Sequence, residues 1–219
     1  MIPISISKEL KEKVSGIKLS CIECEVYVLE TSDMLWDEIR KKTGELSSTL
    51  KTEQISKMPA ISASRKAYKS CGKDPARYRL SAEALLRRVV KQKGLYQVNN
   101  VVDVLNLVSI TTGFSIGGYD SDKITGDVSF GIGTAADPYE GIGRGRLNIE
   151  FLPTFRDDEG AFGTPTSDSE RTAVSQDTKH FLMVIIDFGG GDLTAATKLA
   201  TNYLERFSFA RNFKIKTIQ

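Results

Sequence analysis

Hydrophobic and polar positions divide the chain into β-like ends around a helical middle. A strand is expected near residues 3–7, then a short helix from Lys8, then a strand over 17–30, where Ile22, Cys24, Val26 and Val28 alternate on one face. Ser32 or Asp33 can cap a helix through Met34, Leu35, Trp36 and Ile39, and a second helix starts near Pro59 and runs to the break at Gly72 and Pro75. Ser81 fits the N-cap of a third. There Leu85, Leu86, Val89 and Val90 make the apolar stripe, Glu83 lies in the first turn, Arg87, Arg88, Lys91 and Lys93 fall outside, and Gly94 ends the run. Further strands are expected over 127–132, 146–151 and 181–188, a last helix over 192–207, and a closing strand over 214–218. Non-alternating strands mixed with helices predict an α+β fold.

The segment 99–124, NNVVDVLNLVSITTGFSIGGYDSDKI, departs from this ordinary pattern. Asn99, Asp103 and Asn106 recur at i, i+4 and i+7 on an otherwise apolar helix, which places amides and a carboxylate on one face and requires partners for them. Asn99 or Asn100 fits the helix cap, and Asp103 is placed to tie down the stretch from Gly117 to Asp120 through backbone N–H groups. Gly113 is the expected C-cap, and a turn is expected through Gly117 and Gly118, where the backbone can be approached closely.

This segment resembles the B3/B4 domain of the phenylalanyl-tRNA synthetase beta subunit, in which an NNVVDxxN helix is followed by a short turn and an FDxDKI-like strand. The resemblance extends at lower density through RKAYKSCGKDPARYRLSAEALLRRVVKQKGLY before the helix and TSDSERTAVSQDTKHFLMVII after it. It implies mixed β-sheets in a sandwich-like arrangement flanked by helices, with a pocket between two halves. It also implies a tRNA-associated module that binds tRNA or an aminoacyl end and hydrolyses a misacylated ester in trans, or else a non-catalytic RNA- or protein-binding domain or a small-molecule binder reusing the pocket. By the resemblance Asn106 lines the substrate pocket, together with Gly117, Gly118, Val184 and the polar loop TPTSDSERT, of which Asp168, Ser169 and Thr172 are the contact candidates and Arg171 would meet a phosphate. The synthetase has a histidine at the position of Gly117 and a glutamate at that of Val184. Glycine cannot activate water and valine cannot accept a hydrogen bond from a tyrosine hydroxyl, so tyrosine-specific editing does not carry over with the scaffold. With 219 residues and neither a catalytic core nor an anticodon-binding module, the chain is expected to be a free-standing relative and not a complete ligase.

Composition narrows the picture. The length suits one domain, an N-terminal strand and helix region of about 74 residues packed on the motif-bearing remainder. No apolar run approaches a membrane span and MIPISISKEL lacks a signal-peptide layout, so a cytoplasmic location without membrane contact is expected. Cys21, Cys24 and Cys71 are too few for a disulfide framework. The Cys21 and Cys24 pair falls in a β-like run without further ligands, and His180 is the only histidine, so neither a metal nor a cofactor is expected. Gly141, Gly143 and Gly145 fit a hairpin loop, because no helix follows them as a dinucleotide fingerprint requires, and the Asp157 to Glu159 run ahead of Gly160 fits an exposed β-turn.

A net charge of +2 conceals an uneven distribution. Between Ser64 and Lys93 ten basic residues face two acids, Asp74 and Glu83. Such a face is either solvated or turned toward phosphate, with Arg79, Arg87, Arg88 and Lys91 the candidate RNA contacts; DNA is not expected as a partner.

Overall fold

A computed structural model describes residues 1–219. The elements in chain order are β1 (Ile4–Ile6), α1 (Lys8–Lys13), β2 (Lys18–Glu25), α2 (Asp33–Thr49), α3 (Thr52–Ile55), α4 (Pro59–Cys71), α5 (Ser81–Val90), α6 (Asn100–Thr112), β3 (Ser115–Asp120), β4 (Val128–Ile132), β5 (Glu140–Gly141), β6 (Gly145–Arg146), β7 (Pro153–Asp157), β8 (Gly160–Gly163), β9 (His180–Asp187), α7 (Leu193–Ser208) and β10 (Arg211–Ile218). Single 3₁₀ turns follow β3 and lie in the loop before β9.

The central layer is the antiparallel sheet β10-β2-β9-β3, in which β3 is an edge. The second sheet, β1-β4-β7-β8, is mixed, because β1 and β4 run parallel while the other pairs are antiparallel. At β9 both faces of the central sheet are dry. Its Phe181, Met183 and Ile185 enter the core shared with the helices, whereas Leu182, Val184 and Ile186 enter the core between the sheets. In that second core Phe130 stacks on Phe155 with centroids 4.1 Å apart, and Tyr119 meets Phe162 edge-on at 4.9 Å. Each such ring contributes roughly 1.5–3 kcal/mol by leaving water. The result is an α+β fold in which one antiparallel and one mixed sheet stack as in a sandwich and are flanked by helices, so only one of the sheets has the mixed strand direction expected.

Several expected boundaries shift. Ser32 caps α2, accepting from Leu35 N–H, and Asn99 caps α6, accepting from Val102 N–H at 2.9 Å. At α5 the cap position is Leu80, and Ser81 is instead the first helical residue, its N–H donating to Pro165 O at 2.8 Å. The strand expected over 146–151 does not form. Only Gly145 and Arg146 pair, with β5, and Phe151 turns the chain away with φ of 65°. β2 stops at Glu25 short of the expected 30, and Gly117 and Gly118 lie within β3 and not in a turn. Residues 157–160 do close the hairpin between β7 and β8.

Candidate functional site at the open edge of β3

β9 pairs with only one edge of β3, and since five of the six β3 residues are buried, the other edge is covered by chain that is not strand. The polar loop 164–172 runs past this edge. Gly118 N–H donates to Asp168 Oδ2 at 3.3 Å, and the Tyr119 hydroxyl donates to Asp168 Oδ1 at 2.9 Å. The loop closes on itself locally: the Thr164 hydroxyl donates to Ser167 O at 2.9 Å and accepts from Thr166 and Ser167 N–H. Two more buried tyrosines fix it from below, Tyr139 Oη donating to Ser167 O at 2.6 Å and Tyr68 Oη sharing a hydrogen bond of 2.8 Å with the Thr166 hydroxyl.

Asp168 is thus a half-buried residue whose carboxyl is set among tyrosines with no cation paired to it. Burial pushes its pKa up to about 7, against the opposing pull of its hydrogen bonds from Tyr119 and Gly118. The Tyr119 phenol is raised further above its usual range, by burial first and by the Asp168 charge second. A carboxyl that changes protonation near neutral pH, with one oxygen on a phenol, can accept a proton from water and return it.

Gly117 and Gly163 make this geometry possible. A Cβ on either would overlap the Tyr119 hydroxyl, so the phenol occupies space that side chains at both positions would fill. A Cβ on Gly118 would instead strike Leu105 of α6 and the Phe181 ring, on the opposite face of the sheet.

The structure separates other members of the set expected from sequence. Val184 is fully buried between the sheets, while Asn106 is half-buried on α6, which covers the other face; the two do not share a pocket. None of the five principal surface cavities is lined by Asn106, Gly117, Gly118, Val184 or Asp168. Ser169 is buried and its hydroxyl accepts from Arg171 N–H, and Thr172 is buried with its hydroxyl unpartnered. Arg171 is engaged by Asp157 at 2.7 Å and Glu159 at 3.3 Å.

Nor does Asp103 hold the Gly117 to Asp120 stretch. It accepts from the Thr31 hydroxyl at 2.5 Å and from Val98 N–H, and burial raises its pKa against those two bonds. Asn100 bridges three segments, its side chain accepting from Leu29 N–H and donating to the carbonyls of Tyr27 and Phe207. Asp120 accepts from Asp122 N–H and from the Thr178 hydroxyl. The helix's polar side chains therefore serve the scaffold, with Asn106 alone left without a protein partner. Cys21 and Cys24 project from opposite faces of β2, one into each core, and burial pushes both thiols up to about 12. They cannot ligate one ion together. His180 is exposed on Asp122 at 2.9 Å.

Much of the basic segment is internally partnered as well. Arg65, Arg79 and Arg87 all approach Glu83. Arg88 donates to the carbonyls of Gly94 and Lys93 and lies over the Tyr96 ring at 3.9 Å, whereas Lys91 is exposed with no ion-pair partner. Tyr119, Gly163, Arg65 and Glu83 escaped the sequence reading as site residues. The spacing of Arg79, Glu83 and Arg87 by four was the one available signal.

Comparison of the whole chain with solved structures places it beside an N-terminal fragment of the phenylalanyl-tRNA synthetase beta subunit from Pyrococcus horikoshii. The TM-score is 0.50 at 15% identity, with 98% of this chain and 50% of that chain covered. This chain spans about half the length of that fragment, and at such identity the likeness is one of fold. A search of curated proteins gave no match. The B3/4 domain family model, however, matches residues 63–212, from within α4 through α6, β3, the polar loop and β9 into β10, and on that match the chain belongs to the B3/4 domain family.

Proposed function

We propose that this B3/4 domain is a tRNA-associated module that engages the aminoacyl end of tRNA at the open edge of β3 and hydrolyses a misattached ester there. The observation that carries the reading is the Asp168 carboxyl, held at that edge by the Tyr119 hydroxyl and Gly118 N–H with a pKa of about 7. In its ionised form Asp168 takes a proton from water as the water oxygen bonds to the ester carbonyl carbon. The proton then passes to the departing ribose oxygen, leaving free amino acid and a tRNA hydroxyl.

The test is deacylation of a panel of mischarged tRNAs by the wild-type chain and by Asp168→Asn. Turnover by the wild type with at least one substrate, rising with pH through about 7 and lost in the variant, is expected. A variant as active as the wild type would remove Asp168 from the chemistry. A second reading, binding without hydrolysis, is favoured by Gly117, which offers no side chain and whose neighbouring space is filled by the Tyr119 hydroxyl. Tight binding of aminoacyl-tRNA with no turnover on any substrate is its signature.

A further inference from the structure

Glu83 is 1% exposed, and three guanidinium groups converge on it. Arg65 reaches it from α4, Nη1 to Oε2 at 2.8 Å. Arg87, one turn further along α5, approaches Oε1 with Nη2 at 2.9 Å and Nε at 3.0 Å. Arg79, in the approach to α5, brings its Nε within 4.0 Å of the same oxygen. A buried carboxylate needs one arginine to be neutralised, and this one has three, so the group carries two uncompensated positive charges at partly desolvated positions. Such an excess of positive charge draws anions to this surface.

Several guanidinium donors are left over. Arg65 Nε and Nη2, Arg87 Nη1 and both terminal nitrogens of Arg79 make no hydrogen bond to protein, and the three side chains remain 25%, 28% and 47% exposed in the order Arg65, Arg87, Arg79. We propose that Arg65, Arg79 and Arg87, oriented by Glu83, form a clamp for the phosphate backbone of RNA. This rests on the RNA reading above and gives it a docking point. Planar guanidinium forks match pairs of phosphate oxygens, and anchoring them on a buried carboxylate lowers the entropy lost when RNA binds. The Ser81 N–H to Pro165 O bond also ties the start of α5, the helix that carries Glu83 and Arg87, to the loop that carries Asp168.

The experiment is filter binding of an uncharged tRNA transcript over a salt series, with wild type, Arg79→Ala, Arg87→Ala, Glu83→Gln and, as a remote control, Lys198→Ala on the exposed side of α7. Arg79→Ala is the decisive variant, since its guanidinium is the farthest from Glu83 and its loss leaves the buried pairings intact. Weakening of about three- to tenfold at low salt and a salt slope shallower by about one are expected for each arginine variant, with Lys198→Ala close to wild type. Glu83→Gln separates a clamp from mere positive charge: it adds net charge yet is expected to weaken binding. Thermal melts confirm that each variant is folded. Wild-type affinity and slope in both arginine variants would overturn the clamp while leaving RNA binding standing. No binding by the wild type at about 50 mM salt would overturn the RNA reading and the clamp with it. Displacement of tRNA by polyglutamate at equal charge would assign the arginines to acidic protein, and so would also overturn the proposal.

Discussion

Asp168 sets the behaviour expected of single residues. Its folded-state pKa of about 7 lies above the ordinary carboxylate value of 3.8, so between those limits the folded chain binds a proton that the unfolded chain has released. Its contribution to stability is therefore fully present below about pH 4 and is lost as pH rises toward 7. Melting curves of the wild type should show a midpoint falling over that window more steeply than those of Asp168→Asn, in which an uncharged side chain takes the place. Parallel curves would mean that Asp168 titrates normally. The close approach of Gly117 and Gly163 to the Tyr119 hydroxyl gives a second expectation. Gly117→Ala or Gly163→Ala should cost about 1–3 kcal/mol through overpacking, measured as a lowered urea midpoint at constant slope. An unchanged midpoint would show that the phenol moves aside freely.

At the scale of elements, α6 was the most legible part of the sequence. Its cap, its C-terminal Gly113 in the left-handed conformation and its polar side chains all follow from local spacing. The partners of those side chains do not. Asp103 finds Thr31, 72 positions away, and Asn100 finds Tyr27 and Phe207, so no periodicity could have told which loops they hold. Asn100→Ala would strand one buried donor and two carbonyls and should cost about 2–4 kcal/mol, a loss that chemical denaturation reads directly. Below about 1 kcal/mol, the bridge between these three segments would be dispensable. The same long-range dependence hid β7 and β8, whose pairing is with β4 and with each other. It also hid the failure of 146–151 to form a strand, where Phe151 adopts a positive φ. At the site, sequence brought forward Asp168 and the polar loop, whereas Tyr119 entered only once the fold had laid it across two glycines 46 positions apart.

For the molecule as a whole, membership of the B3/4 domain family fixes the scaffold. Val184 is a wall of the core between the sheets, and the space beside Gly117 belongs to Tyr119, so the polar group at the edge of β3 is the Asp168 and Tyr119 pair. Ser81, at the start of the helix that carries Glu83, donates its N–H to Pro165 O of the same loop. The proposed binding of an aminoacylated RNA end would use the titrating Asp168 carboxyl on this loop and the excess positive charge around Glu83. The most direct measurement is hydrogen exchange on binding a tRNA whose amino acid is attached through a non-hydrolysable amide. Slowed exchange in β3 and in the 164–172 loop, absent with the uncharged tRNA, is expected. Identical exchange with both RNAs, or protection only on elements remote from β3, would contradict it.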